Sequence, residues 1–90
     1  MRVTDVASVV DDAHALVTAD PEHVAARNFL ALVLSEAGRL EQAYACMTES
    51  LALDQAQPAI HFGAGVLATQ LDRFDAARQH YLAAVRQDSG

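Results

Sequence analysis

The sequence predicts an all-α fold, and three observations carry that expectation. Five stretches place apolar residues at helical spacing, and no stretch of comparable length alternates as a half-buried strand would. Alanine supplies nineteen of the 90 residues, and the basic side chains are six arginines with no lysine, a mix that favours helix. The sequence also repeats itself. A single fixed shift lays Arg39 on Arg73, Leu40 on Phe74, Ala43 on Ala77, Met47 on Tyr81, Leu51 on Val85 and Asp54 on Asp88. The same shift lays Ala25 on Ala59, Ala31 on Gly65, Val33 on Leu67 and Ser35 on Thr69.

Taken in order, the first helix is expected over about residues 4–18. Val6, Val10, Ala13 and Val17 share one face there, Val3, Val9 and Leu16 widen it, and Asp5, Ser8, Asp11 and Asp12 lie mostly opposite. Asp20-Pro21-Glu22 reads as the start of the second helix, with Asp as cap and Pro in the first turn, and that helix runs to about Ala37. Gly38 ends it, since glycine enters the left-handed region without steric cost. The third helix spans about residues 40–53. Pro58 opens the fourth, which continues to about Leu71. Asp72 stands where Gly38 stood and tolerates the same backbone better than most residues do. The fifth runs from about Phe74 to Gln87.

Ninety residues hold one domain. Twelve carboxylates against six arginines give a net charge of −6, which argues against nucleic acid, because tracking phosphates needs clustered positive charge. No apolar run approaches the ~20 residues of a membrane span, so no membrane partner is expected. The acidic start does not read as a signal peptide, and the cytoplasm is the expected location. Arg73, Arg78 and Arg86 form at most a mild positive patch on the fifth helix.

The repeat resembles the tetratricopeptide family, whose unit is two antiparallel helices. The resemblance covers nearly the whole chain. It rests on the small residues Ala31 and Gly65, on Gly38-Arg39-Leu40-Glu41-Gln42-Ala43 between helices, on Ala43, Met47 and Ser50, on the run Ala77 through Tyr81 to Ala84, and on the Asp20-Pro21 ending. Arg27 and His61 replace the common tryptophan, Leu34 and Ala68 the tyrosine, and Gln55 the closing proline. The resemblance implies a five-helix solenoid of half a repeat at 1–20 and repeats at 24–57 and 58–90, with Ala31, Gly65, Ala43 and Ala77 at close helix crossings.

It further implies a protein-interaction scaffold and no enzyme. The first helix of each unit lines a concave groove in this family, which carries over here to Asn28, Leu32, Ser35 and Glu36, and to Phe62, Val66, Thr69 and Gln70. The carboxylate-gripping clamp of the co-chaperone members is missing, because Asn28, Leu32, Phe29, Ala59 and Gly63 occupy its places. A mostly apolar or neutral peptide, or a neighbouring domain, is the expected partner. Such arrays also occur within larger bacterial enzymes, as small adaptors or secretion chaperones, and as units that stack end to end.

No catalytic or cofactor motif is present, and neither cofactor nor metal is expected. A small-molecule or metal-binding bundle using Asp11, Asp12 and His14 is the alternative, but a solvated acidic face accounts for those residues. His61 and His80 fall on the two helices of one repeat and are expected to approach each other as partly buried structural histidines. Cys46 reads as a small apolar filler. With two and a half units, apolar residues such as Val3, Val9 and Leu16 at one end, and Tyr81, Leu82 and Val85 at the other, are expected to remain uncovered. The chain is therefore expected either to be a homo-oligomer or to be a fragment of a larger one.

Overall fold

The computed structural model describes residues 3–89, with side chains from Val6 to Asp88. The side chains of Val3 and Asp5 lie outside the described residues. Five helices follow one another: α1 (Val3–Ala19), α2 (Val24–Glu36), α3 (Leu40–Leu53), α4 (Pro58–Gln70) and α5 (Phe74–Ser89). Each packs chiefly on its neighbour in sequence, and the resulting array measures 38 × 27 × 18 Å. Short-range stacking of this kind is what a repeated helical hairpin dictates.

The α1 face forms as its spacing requires. Val10 and Ala13 are buried, Val6 and Val17 half-buried, and Ser8, Asp11 and Asp12 exposed. Val10 and Ala13 join Leu30, Ala31 and Leu34 of α2, Ala43 and Cys46 of α3, and Leu67 of α4 in one core. Ala31, Gly65, Ala43 and Ala77 are all buried.

The start of α2 differs from the expectation. Asp20-Pro21-Glu22-His23 is a turn, closed by the His23 amide donating to the Asp20 carbonyl at 3.1 Å. Proline at the second position of such a turn needs only its ordinary φ, so the signal that suits a helix start suits a turn equally. The cap is His23, whose Nδ1 accepts from the Ala26 amide at 3.1 Å.

Both helix-to-helix turns within the hairpins close in the same way. After α2, the Gly38 amide donates to the Ser35 carbonyl and the Arg39 amide to the Leu34 carbonyl; after α4, Asp72 donates to Thr69 and Arg73 to Ala68. This paired bonding turns the chain through a left-handed residue. Gly38 has φ 78° and Asp72 φ 60°, so the aspartate occupies the conformation expected of it.

Between α3 and α4, Asp54 Oδ1 accepts from the Ala56 amide and Gln57 precedes Pro58 at the first helical position. The Gln57 side chain does not cap α4 but turns inward. Its Nε2 donates to the Ser50 carbonyl, Ser50 Oγ and the Asp54 carbonyl, and its Oε1 accepts from Asn28 Nδ2 at 2.8 Å. Asn28 Oδ1 in turn accepts from Ser50 Oγ. Helices α2 and α3 and the loop before α4 are thus joined by one polar knot around Ser50, which is 0% exposed.

Candidate functional site

The first helix of each hairpin, α2 and α4, carries apolar side chains on its outer face as well as its inner one. On α2, Leu30, Ala31 and Leu34 are buried, whereas Leu32 is 56% exposed; on α4, Ala64, Leu67 and Ala68 are buried, whereas Phe62 is 58% exposed. Val66 and Ser35 are half-buried, and Glu36, Thr69 and Gln70 are exposed. Thr69 Oγ1 donates to the Gly65 carbonyl at 2.9 Å within its own helix. Asn28 alone among the eight expected groove residues is committed to the interior, through Ser50 and Gln57.

Of the eight, Leu32, Glu36 and Phe62 line clefts, at two different places. Leu32 and Glu36 line a cleft of about 470 Å³ with Val6, Val9 and Val33, at the α1–α2 junction. Phe62 lines another of about 470 Å³ with Pro58, Ala59, Ala84, Val85 and Asp88, between α4 and the end of α5. A third, of about 410 Å³, lies against Leu16, Ala19, Ala25, Ala26 and Phe29. The sequence gives Phe29 only a place in a missing clamp, and its exposure follows from its position on the outer face of α2.

The repeat register shows what the α4–α5 cleft is. Its Phe62, Ala84 and Val85 stand one repeat after Asn28, Ser50 and Leu51. In the first unit the Gln57 side chain bonds to Asn28 and Ser50, and Ser50 and Leu51 are buried. In the second unit the polar pair Asn28–Ser50 has become the apolar pair Phe62–Ala84, and the hollow is open. Phe62 rests edge-on against Tyr81, ring centroids 5.4 Å apart.

A separate polar line joins α3, α4 and α5. Tyr44 Oη and His80 Nε2 are 3.1 Å apart, the Nδ1 atoms of His80 and His61 are 3.5 Å apart, and His61 Nε2 lies 3.1 Å from the Gln55 carbonyl. The Gln55 oxygen only accepts, so His61 donates from Nε2, and its neutral Nδ1 is an acceptor. His80 then turns its Nδ1–H toward His61, at a spacing long for a hydrogen bond, and accepts from the Tyr44 hydroxyl at Nε2. The expected approach of the two histidines is therefore present. Arg73 lies over the Tyr44 ring, 5.3 Å from its centroid, and its Nη2 donates to both Glu41 oxygens at 2.6 and 2.7 Å. Arg73 is thereby paired rather than part of a positive patch with Arg78 and Arg86.

Burial, and then the neighbouring His61, push the His80 ring below the ordinary histidine value of 6.5. The unfolded chain accordingly takes up this proton before the folded one does, so stability is complete above about pH 6.5 and declines as pH falls below it. Melting temperatures measured from pH 8 to pH 5 are expected to fall on the acid side, and His80→Gln to flatten that fall. An equal acid slope in the variant would assign the loss elsewhere.

Burial and the nearby Glu49 carboxylate raise the Cys46 thiol above its ordinary value, which suits a packing residue and not a nucleophile. Arg27, at one of the expected tryptophan places, pairs with Glu49 and donates from Nη2 to the Pro21 carbonyl at 2.6 Å. Asp11, Asp12 and His14 are exposed, and among the described residues no three or more His, Cys, Asp or Glu side chains converge to hold a metal ion. Nor is any described helix long and apolar enough to cross a membrane.

The family model described as tetratricopeptide repeat matches residues 24–57. No curated protein matches the sequence. Among solved structures, AMB-1 MamA superposes with a TM-score of 0.90 at 23% identity, over 98% of this chain and 48% of that one. MamA from Desulfovibrio magneticus RS-1, in its 41-end form, gives 0.88 at 20% identity over 94% and 48%, and the RS-1 ArsTM double mutant of MamA gives 0.90 at 20% over the same shares. The chain spans about half the length of these structures, and at such identities the likeness is one of fold. Helix order and hairpin closure agree with these comparisons: the chain has the all-α helical-hairpin fold of the MamA structures, and residues 24–57 match the tetratricopeptide repeat.

Proposed function

We propose that the chain is a protein-interaction module without chemistry of its own, which takes up a mostly apolar or neutral protein segment on the outer faces of α2 and α4. The observation that carries this reading is the exposure of Leu32 and Phe62, each more than half open to solvent and each at the edge of a cleft of about 470 Å³. Glu36 is the one charged side chain among the eight groove residues Asn28, Leu32, Ser35, Glu36, Phe62, Val66, Thr69 and Gln70. A surface with that content gains by burying apolar area rather than by pairing charge, at roughly 25 cal/mol per Å². Leu32 and Phe62 are the main contacts of the groove, and Asn28 is held between Ser50 and Gln57.

Self-association is the second reading, and exposed apolar residues at both ends favour it. Leu16 and Phe29 lie at one end, and Phe62, Leu82 and Val85 toward the other. Surfaces of this kind are where copies or partners meet.

The double variant Phe62→Ser, Val66→Ser tests the first reading. It is expected to lose the partners that the parent captures from native lysate while keeping its helical circular dichroism. Unchanged capture would remove the groove, and collapse of helicity would place both side chains in the core. Light scattering at two protein concentrations addresses the second reading, which a concentration-independent monomer mass would exclude.

A further inference from the structure

We propose that His61 and His80 form a binding site for a divalent late-transition-metal ion, best fitted by zinc, held between their two Nδ1 atoms. The two rings come from facing helices, α4 and α5, and present these nitrogens to each other 3.5 Å apart. That separation is long for a hydrogen bond, which prefers about 2.7–3.2 Å. It is close to what a tetrahedral ion requires, since two zinc–nitrogen bonds of about 2.0–2.1 Å set their nitrogens ~3.3–3.4 Å apart. The nitrogen spacing is thus within tenths of an ångström of that value, and the rings must turn so that both lone pairs meet at an ion lying off the line between them.

The outer ring nitrogens fit this state. A histidine bound to metal through Nδ1 carries its proton on Nε2 and usually donates it to an oxygen, which fixes the ring and strengthens the ligand. His61 already donates Nε2–H to the Gln55 carbonyl, which Gln87 Nε2 also holds in place at 2.8 Å. His80 Nε2 faces the Tyr44 hydroxyl, an oxygen that accepts as readily as it donates. Metal binding therefore asks the His80 proton to move from Nδ1 to Nε2 and the Tyr44 hydroxyl to turn so that it accepts; the pair loses no proton.

Two imidazoles select the class of ion, since zinc, copper and nickel take such nitrogens and magnesium and calcium take oxygens. With no third His, Cys, Asp or Glu side chain converging there among the described residues, water completes the coordination and the site is an exchangeable one. The first repeat supplies an internal contrast. Arg27 and Cys46 hold the places of His61 and His80 one repeat earlier, so the same crossing lacks the paired rings there.

Zinc titration of the full chain by calorimetry, with imidazole nitrogen signals followed by NMR, tests the site. One equivalent of zinc is expected to move the Nδ1 signals of His61 and His80 and to leave those of His14 and His23 in place. His61→Gln and His80→Gln are expected to abolish the heat, His14→Gln to retain it, and magnesium to give none. Tyr44→Phe is expected to weaken binding ~10–100-fold through loss of the oxygen that orients His80. Absence of zinc binding, binding that survives His61→Gln, or signals moving first at His14 or His23 would each overturn the site. If either glutamine variant loses helicity, the NMR titration of the parent decides alone.

Discussion

Gly65→Leu is expected to lower the melting temperature sharply, and Gly65→Ala already to lower it. The crossing of α4 and α5 leaves no room for a side chain at this position. A Cβ built there lies 2.8 Å from Tyr81 Cε1 and 2.9 Å from Cδ1, nearer than real Cβ contacts come. The obstacle is a flat ring rather than the flexible end of a side chain, and Phe62 packs edge-on against that ring. Relief therefore requires the Tyr81 ring to leave its place against Phe62 or the helices to separate. Overpacking of this sort costs ~1–3 kcal/mol, and in a domain of this size each kcal/mol moves the midpoint by ~4–8 °C. The first repeat meets the same position with Ala31, and has Met47 where the second has Tyr81. Gly65→Ala combined with Tyr81→Met is accordingly expected to recover most of the loss, as a positive coupling in a double-mutant cycle. Gly65→Ala melting like the parent, with no coupling to Tyr81→Met, would mean that the crossing is not tight.

Gly65 and Tyr81 also illustrate what could be read before any coordinates. The repeat shift pairs Ala31 with Gly65 and Met47 with Tyr81, so the small positions at helix crossings were legible from the sequence. Helix number and the two left-handed turns at Gly38 and Asp72 were legible for the same reason, because local chemistry decides them. The start of α2 was not, since Asp20-Pro21 satisfies a turn and a helix cap equally and the choice falls to His23.

Side-chain contacts between helices were the least legible part. His61 and His80 sit on the paired helices of one repeat, and helix spacing brings them to one crossing; the facing of their Nδ1 atoms depends on oxygens of Gln55 and Tyr44 outside both helices. Likewise, nothing near Asn28 in the chain announces that its partners are Ser50 and Gln57, 22 and 29 residues away. A family position alone assigned it to the groove.

Asn28→Leu is expected to destabilise the fold by ~1–3 kcal/mol, the cost of leaving buried polar groups unpaired. Its removal deprives the Ser50 hydroxyl of the acceptor Oδ1 and the Gln57 Oε1 of its donor, and Ser50 has no exposed surface through which water reaches it. The second repeat shows the alternative that this crossing tolerates, with Phe62 and Ala84 at the positions of Asn28 and Ser50. Removing both polar partners of a pair is far cheaper than removing one. Asn28→Leu with Ser50→Ala is therefore expected to regain part of what Asn28→Leu loses, measured as the midpoint of urea unfolding with an unchanged slope. A stability equal to that of the parent for Asn28→Leu alone would show that the amide is dispensable to the stack. Asn28 would then be a side chain whose hydrogen bonds are available to a bound segment, and the groove would begin one turn earlier on α2 than Leu32.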